Sequence, residues 1–74
     1  MELRTVTEIG QEIKKIRISK GMSAEYVAEK AGTNADEIRQ FEDFGKDIDA
    51  ELFAYICVAL EIKRPNDLFY KNEL

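Results

Sequence analysis

Histidine and tryptophan are absent from this 74-residue chain, and cysteine and proline occur once each. Without histidine the chain lacks the commonest general base and metal ligand, and with Cys57 alone it cannot form an internal disulfide. It also contains no glycine-rich phosphate-binding loop and no CxxC pair. A domain of this size has little room for a substrate-sized pocket. We therefore expect no enzymatic activity, no cofactor and no metal site.

Long apolar runs are missing too, since the longest, Leu52 to Leu60, has nine residues. A helix needs about 20 apolar residues to cross a bilayer, so we expect no membrane span. The first residues, Met-Glu-Leu-Arg-Thr, lack the apolar core of a signal peptide, which makes a cytoplasmic location the default expectation. Hydrophobic residues make up 45% of the chain and charged residues 35%, a balance typical of a folded globular protein. The length fits one domain over residues 1–74.

Between its four glycines, the chain repeats apolar residues at spacings of three and four positions, the period of an α-helix. This pattern predicts five short helices and no strand. Side chains that suit helix N-caps precede the first four helices: Thr5 or Thr7, Ser23, Asn34 and Asp49. Glu8 and Glu37 lie three residues after two of these caps, the spacing of a capping box, in which the glutamate also bonds the backbone of the cap. Pro65 suits the first position of the fifth helix.

The fourth predicted helix, which includes the run from Leu52 to Leu60, is apolar nearly all round. Such a helix belongs at the centre of a domain or against a partner. Cys57 falls on its inner side, and we interpret it as a small core residue. The apolar side chains exceed what so small a core needs, and apolar patches on small proteins usually mark an interface. The predicted interface residues are Phe44, Tyr55, Val58, Phe69 and Tyr70.

Several stretches of the sequence together carry the resemblance to a known family. They cover a first helix, a second helix, a glycine-containing turn, a third helix and a short closing segment. They are the run Ile9–Arg17, the segment Lys20–Ser23, the run Tyr26–Asn34 with Ile38 and Phe41-Glu42 after it, and Asp67-Leu68-Phe69 near the end. Together they resemble the phage Cro/repressor family, also called XRE-like or lambda-repressor-like, over about residues 9–69. The resemblance implies an all-α, five-helix domain with a helix-turn-helix at helices 2 and 3, at about residues 23–43.

The resemblance also implies roles for individual residues. Arg17 and Glu42 match a family pair that commonly forms an ion pair between the first and third helices. Ala28 is the small residue that lets helices 2 and 3 approach, and Gly32 makes the turn. In such domains the third helix enters the DNA major groove. The residues expected at the DNA are Ser23, Lys30, Asn34, Ala35, Asp36, Arg39, Gln40 and Lys46.

The expected DNA-reading helix is unusual in its charge. Asp36, Gln40 and Asp43 fall on the side opposite its predicted core positions. Residues 23–44 contain two cations and six anions, a net charge of −4 that equals the net charge of the whole chain. Because DNA affinity rests largely on neutralising phosphates, an acidic face would repel the duplex. Acids in a first helical turn also suit the helix dipole, and helix stability is a second explanation for Asp36 and Glu37.

Two functional hypotheses follow from these residues. In the first, the chain is a small transcriptional regulator that binds double-stranded operator DNA as a homodimer, paired through its fourth and fifth helices. In the second, the acidic face of the third helix binds a basic protein, such as the DNA-reading helix of a true repressor. The chain would then be an anti-repressor or modulator, since the same charges that repel DNA attract a cationic partner.

Overall fold

A computed structural model describes residues 2–71 and shows four α-helices in that part of the chain. They are α1 (Val6–Ser19), α2 (Ala24–Ala31), α3 (Ala35–Phe44) and α4 (Ala50–Ala59). The predicted short fifth helix begins at Pro65 but forms as a 3₁₀ helix over Pro65–Phe69, so a fifth α-helix is not confirmed. No strand occurs among residues 2–71, where Leu3 and Tyr70 form one isolated antiparallel bridge.

Polar side chains begin each α-helix by bonding a free backbone N–H group in its first turn. The predicted caps are confirmed at Thr5, Ser23, Asn34 and Asp49, whose side chains accept from the N–H three residues on. At α1 the full capping box forms, because the Thr5 N–H also donates to Glu8 Oε1 at 2.8 Å. This backbone hydrogen bond is the main reason why the pKa of Glu8 lies below its ordinary value.

The core fills the space between the four α-helices. Ile13, Val27, Ile38, Ile56 and Leu60 are its most deeply buried aliphatic side chains. One side of α4 thus packs into the centre of the domain. Cys57 is buried on this side, as predicted from its position. Burial of this thiol raises its pKa. The opposite side of α4 is exposed, so α4 is only partly a core helix.

Helices α1 and α3 approach so closely that only glycine fits at one position of α1. A Cβ atom added to Gly10 would clash with the carbonyl oxygen of Phe41 and lie 3.3 Å from the Cα atom of Glu42. Glycine in a helix interior costs about 0.5–1 kcal/mol relative to alanine, and at this position it permits the contact between the two backbones.

A buried ion pair joins the same two helices. Arg17 Nε donates to Glu42 Oε2 at 2.8 Å, and Nη2 donates to Oε1 at 2.9 Å. The third nitrogen, Nη1, donates to the carbonyl oxygen of Met22 at 2.8 Å, between α1 and α2. The side chains of Arg17 and Glu42 are only 11% and 1% exposed. The hydrogen bonds to Glu42 raise the pKa of Arg17, and one guanidinium holds α1, α3 and the start of the helix-turn-helix together.

We expect Arg17→Met to lower the free energy of unfolding by about 3–5 kcal/mol, because the Glu42 carboxylate would remain buried without its partner. For a domain of this size that loss corresponds to a fall in melting temperature of about 12 °C or more, measurable by circular dichroism.

Lys14→Met is the matched control, because it also removes one cation from α1. Lys14 Nζ lies 2.7 Å from Asp43 Oδ1, but both side chains are more than a third exposed. An exposed pair contributes about 0–1 kcal/mol, so this control should melt within a few degrees of the parent protein. Equal effects of the two substitutions would contradict the role given to Arg17.

Candidate nucleic-acid interface

Helices α2 and α3 form a helix-turn-helix. The backbone at Gly32 turns in the left-handed region with φ 75°, which glycine adopts without strain, and ends α2. The Thr33 N–H then donates to the carbonyl oxygen of Ala28 at 2.9 Å, and Asn34 starts α3. Ala28 is buried where the two helices meet. One side of α3 is therefore packed against α1 and α2, and its other side faces solvent.

The solvent side of α3, together with its N-cap, carries four of the eight side chains predicted to contact DNA. Asn34, Asp36, Arg39 and Gln40 are all exposed there. Ala35 is different, because it is partly buried and packs against the hydrophobic core. Only part of its methyl group is therefore open to solvent, and the DNA contact of Ala35 stays a prediction.

Glu37 does not complete the capping box that its spacing predicts. The Asn34 side chain accepts from the Glu37 N–H at 3.0 Å, so the first half of the motif is present. The Glu37 carboxylate instead accepts from Lys46 Nζ at 3.0 Å. Lys46 follows the left-handed residue Gly45 at the end of α3, which brings its ammonium group close to the carboxylate. The prediction missed this pair because it considered only the local motif.

Two further cations close to α3 are engaged by acidic side chains of the same chain. Arg39 Nη2 donates to Glu25 Oε2 in the first turn of α2, and this hydrogen bond is the main cause of the lowered pKa of Glu25. Lys14 of α1 pairs with Asp43, as described above. Asp36 takes part in none of the ion pairs between side chains of residues 2–71.

The N-cap and the last turn of α2 carry two further predicted contacts, Ser23 and Lys30. Ser23 is exposed, and its Oγ accepts from the Tyr26 N–H at 3.0 Å. A serine hydroxyl also carries a hydrogen that can be donated to an anion. The Nζ atom of Lys30, in the last turn of α2, lies 5.6 Å from the centre of the Tyr26 ring. Ser23 and Lys30 could therefore contact phosphates beside α3.

The residues predicted at an interface fall into separate places. Tyr55 and Val58 lie on the solvent side of α4, and Val58 is 74% exposed. Phe44, at the end of α3, is 80% exposed. Tyr70 is also exposed, but Phe69 is partly buried and its ring centre lies 5.6 Å from that of Phe53. Phe69 therefore covers the core with part of its ring, and its place at an interface stays a prediction.

The part of the chain that the structure describes contains neither a metal-binding cluster nor a membrane-spanning helix. Within residues 2–71, no three His, Cys, Asp or Glu side chains come together as a group that could hold a metal ion. None of the helices in that range is long and apolar enough to cross a membrane.

Over residues 2–71, these features define a small all-helical fold with a helix-turn-helix whose third helix exposes one side to solvent. No protein-family model and no curated protein matches the sequence. Among solved structures, the chain is similar to the restriction-modification controller protein C.AhdI from Aeromonas hydrophila. The TM-score is 0.79 at 25% sequence identity, and the similarity covers 86% of this chain and 96% of that chain.

Proposed function

We propose that this chain is a helix-turn-helix transcriptional regulator that binds double-stranded operator DNA through α3. The observation that carries the proposal is its structural similarity, along nearly the whole of both chains, to a protein described as a restriction-modification controller. The exposed side of α3 supports it, because this is the helix that such folds insert into the major groove. The proposed role is binding, with no catalytic step.

The contacts in this proposal divide by chemistry. Gln40 and Asn34 carry amides that can both donate and accept at base edges, and Asp36 can accept from the amino group of cytosine. Arg39 is suited to guanine or to a phosphate. Ser23, Lys30 and Lys46 would hold phosphates on either side of the groove, which positions the domain without reading the sequence.

Binding of a random-sequence duplex tests the proposal. We expect weak, salt-sensitive affinity at about 50 mM salt, with log K falling by about 0.9 per unit of log salt for each phosphate contacted. Lys30→Gln should lower that slope by about 0.9, because Lys30 is a predicted phosphate contact that forms no ion pair among residues 2–71. Lys63→Gln should leave it unchanged, because Lys63 is exposed in the segment after α4, outside the helix-turn-helix. Fluorescence anisotropy over a salt series measures both slopes.

A lack of duplex binding at low salt would contradict the DNA hypothesis and favour the second candidate, an anti-repressor that engages a basic protein. The observation that favours this candidate is electrostatic. Residues 23–44 carry a net charge of −4, and Arg39 and Lys46 are already paired within the chain. Asp36 would then face a cationic partner, because opposite potentials attract across an interface.

We also propose a homodimer that pairs through the solvent side of α4. Tyr55 and Val58 support this, because they are exposed apolar side chains on one helix and the buried cores of homodimer interfaces are apolar. Two-fold pairing would place the two copies of α3 about 34 Å apart, one turn of DNA.

Val58→Glu should weaken this dimer at least about tenfold, since a carboxylate would be buried in the apolar contact. Ile18→Glu is the matched control, because Ile18 is also an exposed aliphatic side chain but lies on α1, outside the predicted interface. Sedimentation velocity over a concentration series measures both dissociation constants. A parent protein that stays monomeric, or a larger effect of the control, would contradict the α4 interface.

A further inference from the structure

Arg39 is the only cation on α3, and it is not free. Its Nη2 atom bonds Glu25 Oε2, across the angle between the two helices of the helix-turn-helix. The side chains of Arg39 and Glu25 are 46% and 63% exposed, so the pair lies on the surface and not in the core. Glu25 is the second residue of α2, beside the Ser23 cap that is expected to lie near a phosphate.

We propose that Glu25 is an affinity-determining residue of the DNA-binding face, which competes with DNA for Arg39. This inference rests on the proposed DNA-binding function and identifies a residue of the same chain that limits the affinity for DNA. In the unbound protein, Glu25 supplies the anion that a phosphate or a guanine would otherwise supply. DNA must displace it before Arg39 contributes a contact.

The physical cost of that displacement has two parts. First, the charge-assisted hydrogen bond between Arg39 and Glu25 must break, and an exposed pair is worth a factor of about 1.4 to 5 in an equilibrium constant. Second, the released carboxylate stays at the start of α2, where its negative charge faces the approaching phosphates. Arg39 therefore adds less affinity than an unpaired arginine, and fewer counterions are released than the number of cations suggests.

A second pair follows the same pattern at the other end of α3. Lys46, another predicted phosphate contact, is held by Glu37 at 3.0 Å. Arg39 and Lys46, the two cations predicted to contact DNA at α3, are thus each paired with an acid of the same chain. Competition between these acids and DNA therefore extends along the solvent side of α3. Arg39 gives the sharper test, because its partner lies on a different helix and can be removed without changing α3.

The opposite role for Glu25 is also chemically reasonable. A carboxylate that holds one edge of a guanidinium can orient the other edge toward a guanine, which would increase affinity. If Glu25 competes with DNA, removal of its charge should increase the affinity for DNA. If Glu25 orients Arg39, the same change should decrease that affinity. A double-mutant cycle separates them, because the effect of Glu25 is then measured with and without Arg39.

The experiment compares the parent protein, Glu25→Gln, Arg39→Gln and the double variant in binding a random-sequence duplex at about 50 mM salt. Glu29→Gln is the control, because it removes the same charge one turn along α2. Glu29 is exposed and forms no ion pair among the described residues. Thermal unfolding checks the fold, and all variants should melt close to the parent because the pair is exposed.

We expect Glu25→Gln to tighten binding by about 3- to 10-fold and to steepen the salt slope by about 0.9, the value for one additional phosphate contact. With Gln at position 39, the same substitution should change affinity by less than about 2-fold and leave the slope unchanged. In the parent background, Glu29→Gln should likewise change affinity by less than about 2-fold and leave the slope unchanged.

Equal gains in both backgrounds would overturn the competition, because Glu25 would then act only through general repulsion. Weaker binding by Glu25→Gln would overturn it in favour of orientation. Both results would leave the DNA-binding function standing. If none of the variants binds the duplex, the proposed function fails together with the inference.

Discussion

The buried pair between Arg17 and Glu42 is the contact on which the arrangement of the other helices depends. Its three hydrogen bonds connect α1 to α3 and to the backbone before α2, so one side chain sets the relative position of three elements. Gly10 adds a second condition, since α3 can approach α1 only where there is no side chain. Because the inner side of α3 is fixed in this way, its outer side always presents the same residues to solvent.

The distribution of acids on α3 changes how the net charge of this helix should be interpreted. Glu42 is buried with Arg17, and the carboxylates of Glu37 and Asp43 are each paired with a lysine. Asp36 remains as the acid without an ion-pair partner in the described chain. A helix with four acids and one arginine therefore presents a face that is mostly neutralised, not uniformly negative. This reduces the conflict between the charge of the helix and the proposed binding to DNA.

Local sequence patterns predicted the helices well, because the interactions that start and end a helix lie within a few residues. Thr5, Ser23, Asn34 and Asp49 cap their helices as predicted, and the segment after Pro65 is helical but winds as a 3₁₀ helix over only five residues. Interactions across the turn were not predictable in the same way. Glu25 and Arg39 are separated by 14 positions, and their contact depends on the angle between α2 and α3.

The same limit applies to residues at the surface. Helical spacing places Ala35 and Phe69 on approximate faces, but only the packed structure shows that both cover the core. Glu37 had a suitable local partner in Asn34, and a nearby ammonium group competed successfully for its carboxylate. Charged side chains near a turn choose between local and tertiary partners, so such positions are where motif-based prediction is weakest.

The central claim is that the outer side of the helix-turn-helix contacts DNA while α4 remains free to pair with a second copy. Titration of a duplex into ¹⁵N-labelled protein, followed by amide chemical shifts, tests it most directly. Chemical-shift changes should concentrate at Ser23, Lys30, residues 34–40 and Lys46. The amide shifts of Tyr55 and Val58 should not change. Shifts concentrated on α4, with the amides of α3 unmoved, would contradict the claim.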